Sequence, residues 1–156
     1  MNTMKVLIAG CGNMAKKWAQ HAKARTDASI VGLLDIKKEN AERFAADQAI
    51  SAPAFTDINE ALDAVKPDVV FDITIPEAHT NIALAAFKHG AHVFGEKPMA
   101  SSLADAKKMV AAAERSGKMY AVMQNRRYLK NIRAFRELIR NGTIGADAFK
   151  RKGGQS

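Results

Sequence analysis

Short β-rich runs alternate with longer helical patterns along nearly the whole chain, and that alternation leaves few folds open. Residues 5–9 form an apolar run, followed by helical composition over 13–24. A second strand at 29–34 precedes a helix at 38–47. A weak strand at 54–55 leads into a short helix ending at 65, where Thr56 or Asp57 can serve as cap and Asp57 and Glu60 are spaced as in a capping box. Strong strand signal at 68–74 is followed by a helix at 77–89 that Gly90 closes. A fifth strand at 91–94 precedes a helix from Ser101 or Ser102 to Ser116, and a sixth strand spans 119–123. Strands ~20–30 residues apart with helices between them pair in parallel through right-handed crossovers. These strands are apolar on both faces, as helix-covered strands must be. The expected fold is α/β: a doubly wound parallel sheet in three α/β/α layers.

Length and charge narrow the class further. With 156 residues there is room for one domain of common size. A single cysteine, Cys11, excludes an internal disulfide framework and a cysteine-rich metal site, and it suits a reducing compartment. No apolar run approaches the ~18 residues of a membrane span, and the N-terminus lacks a signal-peptide pattern, so a cytoplasmic protein is expected. The net charge of +8 is concentrated at one end. Residues 125–156 hold 9 Lys+Arg and 2 Asp+Glu, whereas residues 1–124 hold 15 and 14. Arg126, Arg127, Lys130, Arg133, Arg136 and Arg140 belong to a last helical pattern and its approach, with Ile132, Phe135, Leu138 and Ile139 on the apolar side. Such a helix admits an anion- or nucleic-acid-binding alternative, for which charge alone predicts weak, salt-sensitive and sequence-independent association.

The residues that carry chemistry stand at the ends of the strands. Gly10-Cys11-Gly12-Asn13-Met14-Ala15 follows a strand and opens a helix, the context of a dinucleotide fingerprint. Gly10 permits the tight turn, Gly12 lets the backbone approach a pyrophosphate, and Ala15 allows close helix–strand packing. The helix start offers free N–H groups and a positive dipole end. Asp35 closes the second strand, 20 residues after Ala15, where a carboxylate accepts from the adenosine ribose and repels a 2′-phosphate. NAD is therefore the expected cofactor, with NADP kept open by Lys37 and Lys38. Cys11 reads as a small residue between two glycines, with a reactive thiol as the alternative. Two further groups, Thr74-Ile75-Pro76-Glu77-Ala78-His79 and Glu96-Lys97-Pro98, stand past the fourth and fifth strands, where open α/β sheets bind ligands.

Taken together, these motifs resemble the N-terminal, Rossmann-type half of the Gfo/Idh/MocA oxidoreductases. The likeness rests on the Gly10–Ala15 fingerprint, Asp35, Pro76 with His79, the stretch from Gly90 through Glu96-Lys97-Pro98, and Gln124-Asn125-Arg126-Arg127-Tyr128. It runs from residue 4 to about 145. Asp72-Ile73-Thr74-Ile75-Pro76 is also similar to dihydrodipicolinate reductase, which lacks a Glu-Lys-Pro element at the next strand end. The first resemblance implies hydride transfer between NAD(H) and a hydroxyl or carbonyl carbon of a sugar, polyol or similar small molecule. It implies Lys97 as the catalytic residue and Gly10, Gly12, Asn13, Met14, Ala15, Asp35, Thr74, Pro76, His79, Glu96 and Lys97 around the cofactor. No metal site is expected. It implies that the Lys97–Pro98 bond is cis.

The same resemblance implies a second α/β domain in relatives. The expected organisation is a dinucleotide-binding domain over residues 1–125, then a basic helix and the start of that second domain over 126–156, with a disordered tail. On this reading the chain is truncated, binds cofactor and turns over little by itself. The alternative is a non-catalytic fragment that binds cofactor or a partner. Expected partners are a small-molecule substrate and, through Phe135, Leu138 and Ile139, a second copy of the chain; no specific nucleic acid and no membrane are expected.

Overall fold

Six strands form one all-parallel sheet in the order β3-β2-β1-β4-β5-β6. The structure is a computed structural model that describes residues 3–143. Its elements are β1 (Met4–Ala9), α1 (Asn13–Lys23), β2 (Ala28–Leu34), α2 (Lys38–Asp47), β3 (Ala54–Phe55), α3 (Ile58–Val65), β4 (Val69–Asp72), α4 (Pro76–Lys88), β5 (His92–Gly95), α5 (Leu103–Ser116), β6 (Tyr120–Val122) and α6 (Lys130–Arg140). The doubly wound α/β fold expected from the strand–helix alternation is the fold observed.

Alternation along the central strands divides the core into two layers. On β1, Leu7 and Ala9 face one side while Val6 and Ile8 face the other. On β4, Val70 joins the first set and Val69 and Phe71 the second. The first layer packs under α3, α4 and α5 through Leu62, Phe87 and Met109. The second packs under α1 and α2 through Ala15, Ala19 and Phe44. Each large aliphatic chain withdrawn from water in this way contributes about 1.5–3 kcal/mol. Small residues matter equally on α1, because Ala15 and Ala19 are fully buried and let the helix lie close on the sheet.

The helix signals operate as local chemistry predicts. Asp57 accepts the Glu60 amide at 2.9 Å and starts α3. Ser102, the second of the two serines considered, accepts the Asp105 amide at 3.1 Å and starts α5, which Gly117 closes in the left-handed conformation. Among the described residues no helix is long and apolar enough to cross a membrane.

The chain divides into two compact units after Met123. The first carries the whole sheet. In the second, a 3-10 turn over Asn125–Tyr128, which the sequence patterns do not signal, precedes α6. The Arg127 guanidinium lies 5.6 Å from the centre of the Tyr128 ring. The tail expected to be disordered, residues 147–156, lies outside the described residues.

Candidate functional site

The strand order turns back between β1 and β4, and open α/β sheets bind ligands at such a reversal, beyond the strand C-termini. A cleft of about 590 Å³ opens there. Its walls come from Gly10–Gly12 after β1, Asp35–Lys37 after β2, Thr56–Ile58 around the end of β3, and Ile73–Ile75 after β4. That volume suits a ligand cleft, for which roughly 300–1,000 Å³ is usual.

Gly10 and Gly12 serve the cleft for different reasons. Gly10 has φ +90°, and a Cβ there would stand 2.5 Å from the Ile73 carbonyl oxygen and 2.9 Å from the Thr74 nitrogen. Only glycine lets the β1–α1 loop lie against the β4–α4 loop. Gly12 is extended, at φ −85° and ψ −171°, and is the N-cap of α1. A Cβ on Gly12 would meet nothing within 4 Å, so the fold itself leaves that position free. No side chain caps α1 and its first turn holds no acid. Asn13 and Met14, at this end, are exposed, and Ala15 is buried below. A helix start with no acceptor of its own and an open approach fits an anionic phosphate.

Asp35 faces the same cleft, held by three donors. Its Oδ2 accepts the Cys11 amide at 3.0 Å. Its Oδ1 accepts the Lys37 amide at 3.1 Å and the Asn40 side-chain amide at 3.0 Å. The first of these bonds ties the glycine loop directly to the end of β2. Asp35 is half-buried, so its charge acts on whatever enters beside it.

Past β4 the cleft wall holds Thr74, one of the residues expected around the cofactor, with Ile75 and Ala78, whereas Pro76 and His79, also expected there, do not line it. Pro76 is the first residue of α4, where its missing N–H is no loss. His79 is 1% exposed and lies beneath the cleft, with Nδ1 2.9 Å from Oδ2 of Asp72, itself 1% exposed. A carboxylate only accepts, so the His79 ring carries its proton on Nδ1 toward Asp72. The Thr74 hydroxyl donates to the other Asp72 oxygen at 2.6 Å, and the Thr74 amide reaches it at 3.2 Å. Nε2 of His79 has no partner among the described residues. Burial, and next the Asp72 charge, push the Tyr120 phenol up to about 12. Asp72 is legible in the sequence as part of the stretch Asp72–Pro76 but not as the partner of His79, because it closes an apolar strand; the available signal was a carboxylate seven residues before a histidine.

At the end of β5, Glu96 accepts from the Trp18 indole at 3.1 Å and so joins β5 to α1. Trp18, Phe71 and Phe94 form an aromatic group beside it, with centroids 5.0 and 6.1 Å apart. Lys97 is exposed, its ammonium bonded to no acceptor among the described residues, and the Lys97–Pro98 bond is cis. Both Glu96 and Lys97 stand outside the walls of the cleft.

Residues 4–124 match the model of the Gfo/Idh/MocA oxidoreductase family, described as an NAD-binding Rossmann fold. The chain belongs to that family. It is 30% identical over 138 residues to 1,5-anhydro-D-fructose reductase of Ensifer adhaerens, covering 88% of this chain and 41% of that protein. It is 33% identical over 141 residues to glucose-6-phosphate 3-dehydrogenase of Bacillus subtilis, covering 90% and 39%. Among solved structures, myo-inositol dehydrogenase from Lactobacillus casei, in complex with NAD(H) and myo-inositol, superposes with a TM-score of 0.80 at 31% identity, over 92% of this chain and 43% of that one. The chain thus spans about two-fifths of the length of these relatives.

The cysteine of this Gfo/Idh/MocA domain, Cys11, is partly buried and packs against the second core layer. Burial, and then the Asp35 charge, push the Cys11 thiol up to about 12, and its Sγ lies 3.6 Å from the Leu34 carbonyl oxygen. The thiolate is the reactive form. Iodoacetamide at mildly alkaline pH is therefore expected to alkylate the folded protein at least roughly a hundredfold more slowly than the urea-unfolded chain. Equal rates, followed by mass spectrometry, would show an activated thiol.

Proposed function

We infer that the chain holds NAD(H) across the ends of β1 and β2, with the pyrophosphate at the start of α1 and the adenosine ribose at Asp35. One observation carries this reading: an uncapped helix end beside Gly12 and the carboxylate of Asp35 open onto the same cleft. Gly10 and Gly12 keep the backbone clear of side chains, Asn13 and Met14 belong to the helix end that meets the phosphates, and Ala15 lets α1 lie close to the sheet. Thr74 stands in the opposite wall, with Pro76, His79 and Glu96 holding the loops around it. The nicotinamide, when bound, supplies hydride exchange. The substrate is then a hydroxyl or carbonyl compound of the sugar or polyol class, the class of the relatives named above. Lys97, an exposed ammonium at the next strand end, is the group to donate to a substrate oxygen as charge develops on it. A free thiol at Cys11 suits a reducing cytoplasm.

The fixed negative charge of Asp35 disfavours a 2′-phosphate, so NADH is expected to bind at least about tenfold more tightly than NADPH, the scale of one charged contact. Asp35→Ala is expected to bring the two constants within roughly threefold. Titration followed by nicotinamide fluorescence measures both. NADPH binding as tight as NADH by the unaltered chain would mean that Lys37 or Lys38 captures the phosphate.

A further inference from the structure

The hydrogen bonds that hold Asp35 also limit what it can accept. A carboxylate has about four acceptor positions, two on each oxygen. Both positions on Oδ1 are taken, by the Lys37 amide and the Asn40 side chain. One of those on Oδ2 is taken by the Cys11 amide. A single position remains, on Oδ2, whereas a ribose diol offers two hydroxyls. Two of the three donors are backbone amides fixed by the glycine loop and by the start of α2. The third is Asn40, a side chain that lines the cleft. Its orientation is determined from both sides. The Arg43 guanidinium, which only donates, lies 2.9 Å from Asn40 Oδ1, and the Asp35 carboxylate, which only accepts, faces Nδ2.

We propose that Asn40 is a specificity-determining residue of the nucleotide site: it occupies the acceptor that a second ribose hydroxyl would use, so Asp35 reads only one hydroxyl of the adenosine ribose. The proposal rests on the reading of the cleft as a dinucleotide site. Asn40 acts through Asp35 and takes no part in hydride transfer. Replacing it with alanine frees one position on Oδ1 while both backbone donors stay in place. Alanine also suits the first turn of α2, so the fold survives the change.

The test compares binding of NADH with binding of its 2′-deoxy and 3′-deoxy adenosine-ribose analogues, by nicotinamide fluorescence, after equal thermal melts confirm folding. For the unaltered chain, removing one of the two hydroxyls is expected to weaken binding roughly tenfold or more, the weight of a hydrogen bond to a charged acceptor, and removing the other less than about threefold. In Asn40→Ala both removals are expected to weaken binding by roughly tenfold. Arg43→Ala, which leaves the Asn40–Asp35 bond in place, is expected to keep the one-sided pattern. Tight NADH binding with equal dependence on both hydroxyls in the unaltered chain would overturn the role of Asn40 and leave the dinucleotide site intact. So would a one-sided pattern that persists in Asn40→Ala. Failure of the unaltered chain to bind NADH would overturn both readings.

Discussion

Gly10→Ala and Gly12→Val are expected to fail in opposite ways. Gly10→Ala should lower stability by roughly 2–5 kcal/mol. Part of that is the ~1–2 kcal/mol that a side chain costs in the left-handed region. The rest is the ~1–3 kcal/mol of an overpacked contact, since the new Cβ would lie 2.5 Å from the Ile73 oxygen. That neighbour is backbone, so relief requires moving the β4–α4 loop. Gly12→Val meets no such obstacle, because its Cβ points into open space and its backbone angles suit any residue. Its stability should fall by about 1 kcal/mol or less, the cost of a poorer N-cap. NADH binding, however, should weaken more than about a hundredfold, because the branched side chain stands where phosphate oxygens must reach the α1 amides. Urea denaturation and NADH titration of both variants separate the two effects. A Gly12→Val protein that binds NADH normally would remove the pyrophosphate from this helix end.

The second large effect lies beneath the cleft. His79→Leu is expected to cost about 3–5 kcal/mol, because it leaves the Asp72 carboxylate buried with Thr74 as its remaining side-chain partner. The charge is the cause, so the cost should shrink when the charge is gone. In an Asp72→Asn background the same replacement should cost less, by roughly 1–3 kcal/mol, as expected for residues in one hydrogen-bonded pair. Denaturant unfolding of the two single variants and the double variant gives the coupling directly. Additivity to within about 0.5 kcal/mol would mean that His79 serves only to fill space. Thr74 belongs to both the pair and the cleft wall, so loss of His79 should also weaken NADH binding in protein that remains folded.

Much of this molecule is set by short-range patterns. Apolar runs of two to seven residues separated by helical stretches determine a parallel sheet covered on both sides. Asp57 and Ser102 start helices by bonding an amide three residues on, and Gly117 ends one, all within a single turn of chain. The fingerprint at Gly10 and Gly12 and the carboxylate at Asp35 follow the same logic, because each is defined by its place at the end of a strand.

The rest depended on contacts that no local pattern encodes. Gly10 is required because Ile73 lies against it, and the two meet only when β4 pairs with β1. Glu96 is engaged by Trp18, 78 residues earlier, because α1 and the end of β5 come together over the same layer of the sheet. His79 has the sequence context of a surface histidine, yet the packing of α4 turns it inward onto Asp72. Asn40 looks like an ordinary residue of a helix's first turn until the end of β2 brings the Asp35 carboxylate to its amide. Sequence alone determined which strand ends carry polar chemistry, because strand and helix signals are local. Tertiary structure decided which of those groups face the cleft and which are spent on one another. Burial and hydrogen-bond pairing belong to the packed arrangement, since a donor is assigned only when its acceptor is within reach.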